Sequence, residues 1–339
     1  MKVNQILKLL SVSSLALLFW VAGYIPPATA APETILRMAG TMPIGHYMTR
    51  TEERFGELVL QKTGGRVKVE VYPANQLFSD KDMAKAIPAG SVEMGQVNLA
   101  MFAGLIPALG ILEMPFFFKD RAHLHRTEAS PKFMQILDQE LAAKDLKMMF
   151  WMDYGMMSFI GKKPLRKLED FKGKRIRGYS ELSTLFIQAL GAGPVFLSVG
   201  EVYLALQRGT IDGVLTSTCS VYERKFYEVS KYLTYVTINE VPLVPAVLIN
   251  QKIWNKLAPD IQKAMMEASK DNQEWGFKEA LKETDECLAE VKKGGMEIYY
   301  MPDTEKRRWI EATKPLLGKY LERAGKPGQA LVDEANKLR

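Results

Sequence analysis

The chain has 339 residues, 45 basic and 39 acidic side chains for a net charge of +6, and two cysteines. The basic residues are spread along the chain and form no stripe interleaved with aromatics, which excludes a nucleic-acid partner. Cys219 and Cys287 sit in no disulfide-framework spacing and are expected as two buried free thiols.

Residues 1–30 have the composition of an export address. Lys2 and Lys8 precede an almost wholly apolar run from Leu9 to Ile25, and Ala28–Thr29–Ala30 is a small-x-small cleavage pattern. The run is short for the ~20 residues of a spanning helix, and Pro26–Pro27 closes it. The expectation is a signal peptide cut after Ala30 and a periplasmic protein. The remainder exceeds the ~250–300 residues at which single cores split into domains.

From Thr34 to Gly40 the chain reads as a first strand, followed by a loop from Thr41 and a helix carrying Phe55, Leu58 and Val59. Arg66 to Tyr72 alternates charged residues with valine, as a half-buried strand does. Ser79–Asp80 is expected to cap a helix from Lys81 to Ile87, with a strand over Glu93–Leu99 beyond it. Two helices, near Asp120–Arg126 and Pro131–Lys144, lead to an apolar strand at Met148–Tyr154.

The stretch from Lys172 to Tyr227 predicts β-α-β-α-β with short connections, the pattern of a parallel-type α/β lobe. Arg177 ends its first strand, where open α/β sheets bind ligands. Strand-like segments at Tyr235–Ile238 and Pro245–Asn250 precede a helical run from Pro259 to about Lys293 with no internal proline. Met296–Met301 reads as a strand, and Glu305–Ala324 and Pro327–Leu338 as terminal helices.

No catalytic constellation is present: there is no G-x-S-x-G elbow and no glycine-rich phosphate loop. His123 and His125 lie among charged neighbours, which predicts a solvated helix face with no metal. Binding therefore explains the chain better than catalysis.

Several of these strings, in this order, resemble the solute-binding proteins of TRAP (tripartite ATP-independent periplasmic) transporters. They are the run from Gly65 to Asp80, the segment from Phe171 to Arg177, the turn from Ala189 to Pro194, the helix Gly200–Gln207, and Ile211–Asp212–Gly213. The resemblance covers about Thr34 to Ala268. It implies a two-lobed α/β periplasmic-binding-protein fold, the Venus flytrap, with a long helix across both lobes. The expected division is residues 31–154 plus about 243–280 for one lobe and 155–242 plus about 281–301 for the other, with C-terminal helices over 302–339. Two lobes joined by several crossings make a hinge with a ligand cleft between them.

By the same resemblance, Arg177 holds the carboxylate of a ligand, for which its planar fork is suited. The competing expectation is a structural pair with Glu201 or Asp170. Where many family members carry a second arginine this chain has Met157, and where they carry an Asn-Pro pair it has Thr216 and Ser217. His46 and Asn98 match family segments that line the cleft. Tyr179 and Ser180 are placed to close over the carboxylate, and Trp151 and Tyr154 to stack on a flat ligand, with Phe196 adding apolar wall. Lys162 or Lys163 is the open alternative for a second charge, and a cap on the following helix is the open alternative for Thr216. The expected function is capture of a small organic acid, a hydrophobic or aromatic monocarboxylate, for delivery to a TRAP membrane permease. No cofactor is implied, and contact with a membrane is only through the permease. An exported enzyme acting on an organic acid, or a receptor for C4-dicarboxylates, is the alternative.

Overall fold

The computed structural model describes residues 32–236 and 243–339. The leader and the crossing near Pro242 lie outside the described residues. Eleven strands among the described residues form two sheets. The first contains β1 (Thr34–Ala39), β2 (Val67–Tyr72), β3 (Met94–Asn98), β4 (Leu146–Trp151) and β10 (Pro245–Asn250), in the order β2-β1-β3-β10-β4. The second contains β5 (Met157–Gly161), β6 (Arg175–Gly178), β7 (Gly193–Phe196), β8 (Gly213–Ser217), β9 (Tyr232–Val236) and β11 (Glu297–Tyr300), in the order β11-β9-β5-β8-β6-β7.

The three strands of the stretch from Lys172 to Tyr227 pair in parallel as expected, but each sheet as a whole is mixed. β1, β2 and β3 pair in parallel, but β10 runs antiparallel to β3 and β4. β6, β7 and β8 are parallel, whereas β5 runs antiparallel to β8 and β9. The antiparallel strands are the two that enter a sheet from the other lobe. β5 follows β4 after residues 152–156 alone, without the covering helix that a parallel connection requires.

β5 lies inside its sheet, between β9 and β8, and all five of its residues are buried. The crossing into it bends at Gly155 (φ 72°), where a Cβ would lie 2.8 Å from Thr284 Oγ1. Both the left-handed backbone and the close approach require glycine there.

One helix, Pro259–Lys293, runs for 35 residues, about 52 Å at 1.5 Å per residue. It packs on the helix Tyr47–Lys62 and β4 of the first lobe and on the helix Thr218–Glu223 of the second. Cys287 on this helix is disulfide-bonded to Cys219 on the helix Thr218–Glu223, with Cα atoms 5.0 Å apart. The expectation of two free thiols is thus overturned. The cysteines are far apart in sequence, and only the docking of the two helices brings them within bonding distance.

The C-terminal segment ties the lobes a further time. Asp303–Thr313 covers the second lobe, where Trp309 sits among Phe159, Phe171 and Phe186 with ring centroids 5.2–6.2 Å away. The single helix expected over Glu305–Ala324 divides at Lys314. Pro315–Lys337, kinked at Gly325, then returns to the first lobe. There Tyr320 donates to the Ala108 carbonyl at 3.0 Å, and His123 Nε2 lies 2.7 Å from the Ala335 carbonyl. His123 is therefore buried rather than solvated, and His125 stacks on Phe277 at 4.3 Å. Their helix reads as polar in isolation, but its face is covered by the C-terminal helix and the long helix.

Breaking the Cys219–Cys287 bond frees a loop of 68 positions in the unfolded chain. The Cys219→Ser/Cys287→Ser double variant is expected to lose ~2–4 kcal/mol of stability. Denaturant unfolding of the variant beside the wild type, with and without reductant, measures it.

Candidate functional site

A pocket lies between the lobes, with about 560 Å³ of empty space that includes its opening to solvent. Its first-lobe wall comes from the loop after β1 (Thr41, Met42), from Asp80 and Met83, from the end of β3 (Gln96, Val97, Asn98), and from Met101 and Phe102. Leu243 and Pro245, at the start of β10, complete that wall. The second lobe contributes Arg177, Tyr179, Val199 and Thr216, and Tyr154 lies on the crossing between lobes.

Arg177 is the cationic side chain of the lining. It stands near the C-terminal end of β6 and is only 3% exposed. Its Nε donates to the Leu197 carbonyl at 3.0 Å, and its guanidinium carbon lies 5.2 Å from the centre of the Tyr179 ring. Burial pushes the guanidinium down from its ordinary value, and Asp80 opposes that shift. Neither Glu201 nor Asp170 is its partner. The facing acid is Asp80 of the first lobe, with Oδ2 4.0 Å from Nη2. Glu201 pairs with Lys81 at 2.9 Å, and Asp170 accepts from the Arg166 and Lys167 amides. Arg175, two residues earlier, is exposed at the start of the strand and binds Asp212 at 3.1 Å, so it takes no part in the lining.

Asp80 does not cap the helix that follows it. That helix is Met83–Ala89, preceded by Asp82. Instead Asp80 crosses the cleft: Ser198 Oγ donates to Oδ1 and the Val199 amide to Oδ2 at 3.3 Å. The Ser198–Glu201 turn opens the helix Val202–Arg208, so a carboxylate from the first lobe meets the donors at the start of a second-lobe helix. Sequence reasoning missed this role, because a carboxylate directly before an expected helix start is a local cap signal and its long-range partner carries no local pattern.

On the first-lobe wall, Gln96 Oε1 accepts from Thr41 Oγ1 at 2.7 Å and from the Thr41 amide at 3.3 Å. Asn98 accepts from the Ala100 amide at 3.1 Å. Gln96 was missed beforehand; its place two residues before Asn98, on the same face of β3, was the available signal. Arg224 of the second lobe donates from Nη2 to the Thr41 carbonyl at 2.9 Å and so closes the cleft from behind.

Of the ten residues singled out from the sequence, Arg177, Tyr179, Thr216, Asn98 and Tyr154 line the cavity. Thr216 is not the cap of the next helix; Ser217 is, accepting from the Ser220 amide at 3.1 Å. Tyr154 and Ser220 share a hydrogen bond of 3.0 Å.

The other five lie outside the lining. Met157 begins β5 inside the core, and Trp151 is buried at the end of β4. Phe196 is 52% exposed on the edge strand β7, with Lys81 Nζ 5.4 Å from its ring centre. His46 precedes the helix Tyr47–Lys62; its Nδ1 accepts from the Met48 amide at 3.0 Å, so the neutral ring carries its proton on Nε2, 3.0 Å from Glu223 Oε2. Burial holds His46 well below the ordinary imidazole value and raises Glu223 to about 8. Ser180 caps the helix Glu181–Ala189 and donates to the buried Glu113 of the first lobe. Lys162 Nζ donates to the Gln207 carbonyl, and neither Lys162 nor Lys163 lines the cavity.

What the arrangement can do is hold an anion. A buried cationic fork faces a mostly apolar hollow with a few side-chain donors, and Asp80 is the one carboxylate among the lining residues described.

The fold and much of the sequence match known proteins. Residues 38–323 match the family described as bacterial extracellular solute-binding protein, family 7. The C4-dicarboxylate-binding periplasmic protein DctP of Rhodobacter capsulatus is 30% identical over 285 residues, 83% of this chain and 85% of the relative. Among solved structures, a TRAP periplasmic solute-binding protein from Roseobacter denitrificans with bound β-D-glucuronate superposes with a TM-score of 0.83 at 27% identity, covering 89% of this chain and 98% of the other. A second, from Desulfovibrio salexigens with bound orotic acid, gives 0.85 at 25% identity over 90% and 99%. The match over most of its length and the two-lobed architecture lead to one conclusion: this chain belongs to family 7 of the bacterial extracellular solute-binding proteins, the solute receptors of TRAP transporters.

Proposed function

We propose that the chain is an extracytoplasmic receptor that captures an organic acid bearing one carboxylate and an apolar or aromatic body, and hands it to a TRAP membrane permease. The observation that carries this reading is the single lining cation. Arg177 offers its fork to one carboxylate, while Asp80 stands 4.0 Å from it on the opposite lobe. A second ionised carboxylate in the closed cleft would lack compensation. The remaining wall is largely Met42, Met83, Val97, Met101, Phe102, Val199 and Leu243. Thr216, Asn98, Gln96 and Tyr154 are the side chains available to a keto, hydroxyl or amide group.

Relatives with this fold take acids of several shapes: the Roseobacter protein holds glucuronate, the Desulfovibrio protein holds orotate, and the Rhodobacter protein is a C4-dicarboxylate receptor. Orotate, flat and singly carboxylated, is the ligand most like the one proposed. A calorimetric panel of phenylpyruvate, branched 2-oxo acids, orotate, glucuronate, succinate and malate tests the reading. Succinate or malate binding as tightly as the apolar monocarboxylates would overturn the ligand class and leave the receptor role standing.

Arg177→Ala is expected to cost ~2–5 kcal/mol of binding, much of it from stranding the ligand's buried carboxylate. Arg177→Lys is expected to recover little of that, because an ammonium lacks the planar fork. Near-native affinity in Arg177→Ala would remove Arg177 from the site.

The cavity wall is divided between lobes, so capture requires closure about the crossings near Gly155 and Pro242. Asp80→Ala removes the first-lobe acceptor of Ser198 and Val199. It is expected to shift the population toward the open form, by about 1.5–3 kcal/mol per hydrogen bond to the charged group. Solution scattering is expected to show a larger radius of gyration for this variant, and a smaller one for the wild type once ligand is added.

A further inference from the structure

Behind the cavity wall, outside its lining, sits a buried carboxyl that ligand capture by Arg177 does not use. Glu113 ends the 3₁₀ turn Pro107–Glu113 of the first lobe and is 1% exposed. Its Oε2 accepts from Ser180 Oγ of the second lobe, while its Oε1 has no hydrogen-bond partner among the described residues. The hydroxyl of Tyr179, a lining residue, is likewise buried without one. Glu113 lies within the influence of that hydroxyl and of the Arg177 charge. The carboxyl and the cavity thus share one guanidinium and one tyrosine.

We propose that Glu113 is a proton-binding site linked to the cavity: when an anionic ligand takes the Arg177 guanidinium, Glu113 binds a proton from solution, so that acid capture and proton uptake occur together. This rests on the reading of the cavity as a carboxylate site.

The charges around Glu113 fix the sign. Burial raises its carboxyl to about 7, and the Ser180 and Tyr179 hydroxyls and the positive Arg177 hold it from rising further. Of the other charged groups nearby, Glu181 is paired with Arg323 of the C-terminal helix, and Tyr320 of that helix is bound to the Ala108 carbonyl. Arg177 is therefore the cation that supports the ionised form. A ligand carboxylate on Arg177 cancels that support and adds a negative charge beside it, and both effects favour protonated Glu113. Uptake is therefore largest just above pH ~7, where Glu113 is ionised in the free protein and protonated in the complex. Below that window it is protonated in both states and the effect vanishes.

Calorimetry in phosphate and in Tris at about pH 7.5 counts the protons, because the two buffers release theirs with different heats. Phenylpyruvate, orotate, glucuronate and succinate serve as probes. The expected result for each acid that binds is uptake of a substantial fraction of one proton, with Kd rising by up to ~tenfold per pH unit above neutrality. In Glu113→Gln, which is neutral at every pH, the uptake is expected to disappear and Kd to stay flat from about pH 6 to 8.5. Binding without proton uptake in the wild type overturns this inference and leaves the receptor reading intact. Undiminished uptake in Glu113→Gln also overturns it and assigns the proton to another group, such as Glu223. Absence of binding by all four acids overturns the receptor reading and this inference together.

Discussion

A guanidinium that is 97% removed from solvent has to be compensated from inside the protein, and the closed cleft is arranged around that requirement at Arg177. The compensation comes from both lobes. The second supplies the Leu197 carbonyl and the face of Tyr179, and the first supplies the charge of Asp80. Asp80 is itself held by Ser198 and the Val199 amide at the start of a second-lobe helix. Each lobe therefore completes the other's electrostatics. The site is thus incomplete in either lobe alone.

The lobes are tied together at several places. Three kinds of connection join the lobes: the crossings next to β5 and β10, the long helix Pro259–Lys293, and the C-terminal segment that covers one lobe and returns to the other. The Cys219–Cys287 bond fastens the helix after Thr216 to the long helix, which anchors one edge of the cavity to the spanning element. Gly155, with its left-handed backbone and its close approach to Thr284, makes one crossing a bend that other residues could not adopt without strain.

Buried acids gather where the lobes meet. Glu113 meets Ser180, Glu223 lies beside His46, and Asp153 at the first crossing binds Arg121 with His125 and Glu128 nearby. Burial raises the carboxyls of Glu113, Glu223, Glu128 and Asp153 above their ordinary range; Arg121 opposes the shift at Asp153.

The sequence by itself determined the local elements and the family. Alternation fixed Val67–Tyr72, the absence of proline fixed the helix Pro259–Lys293, and the ordered strings from Gly65 to Gly213 fixed the resemblance and with it Arg177. These are signals carried by neighbouring residues, and local physics is enough to read them. The tertiary structure alone decided the rest. It placed β5 and β10 antiparallel in their sheets, bonded two cysteines that belong to helices far apart in sequence, and buried His123 under the C-terminal helix. It also sent Asp80 across the cleft instead of onto its own helix, left Met157 and Trp151 in the core, and brought Gln96 to the cavity. Each of these depends on how the two lobes dock. A side chain's long-range partner is set by that docking, and nothing in the residues beside it records which partner it will meet.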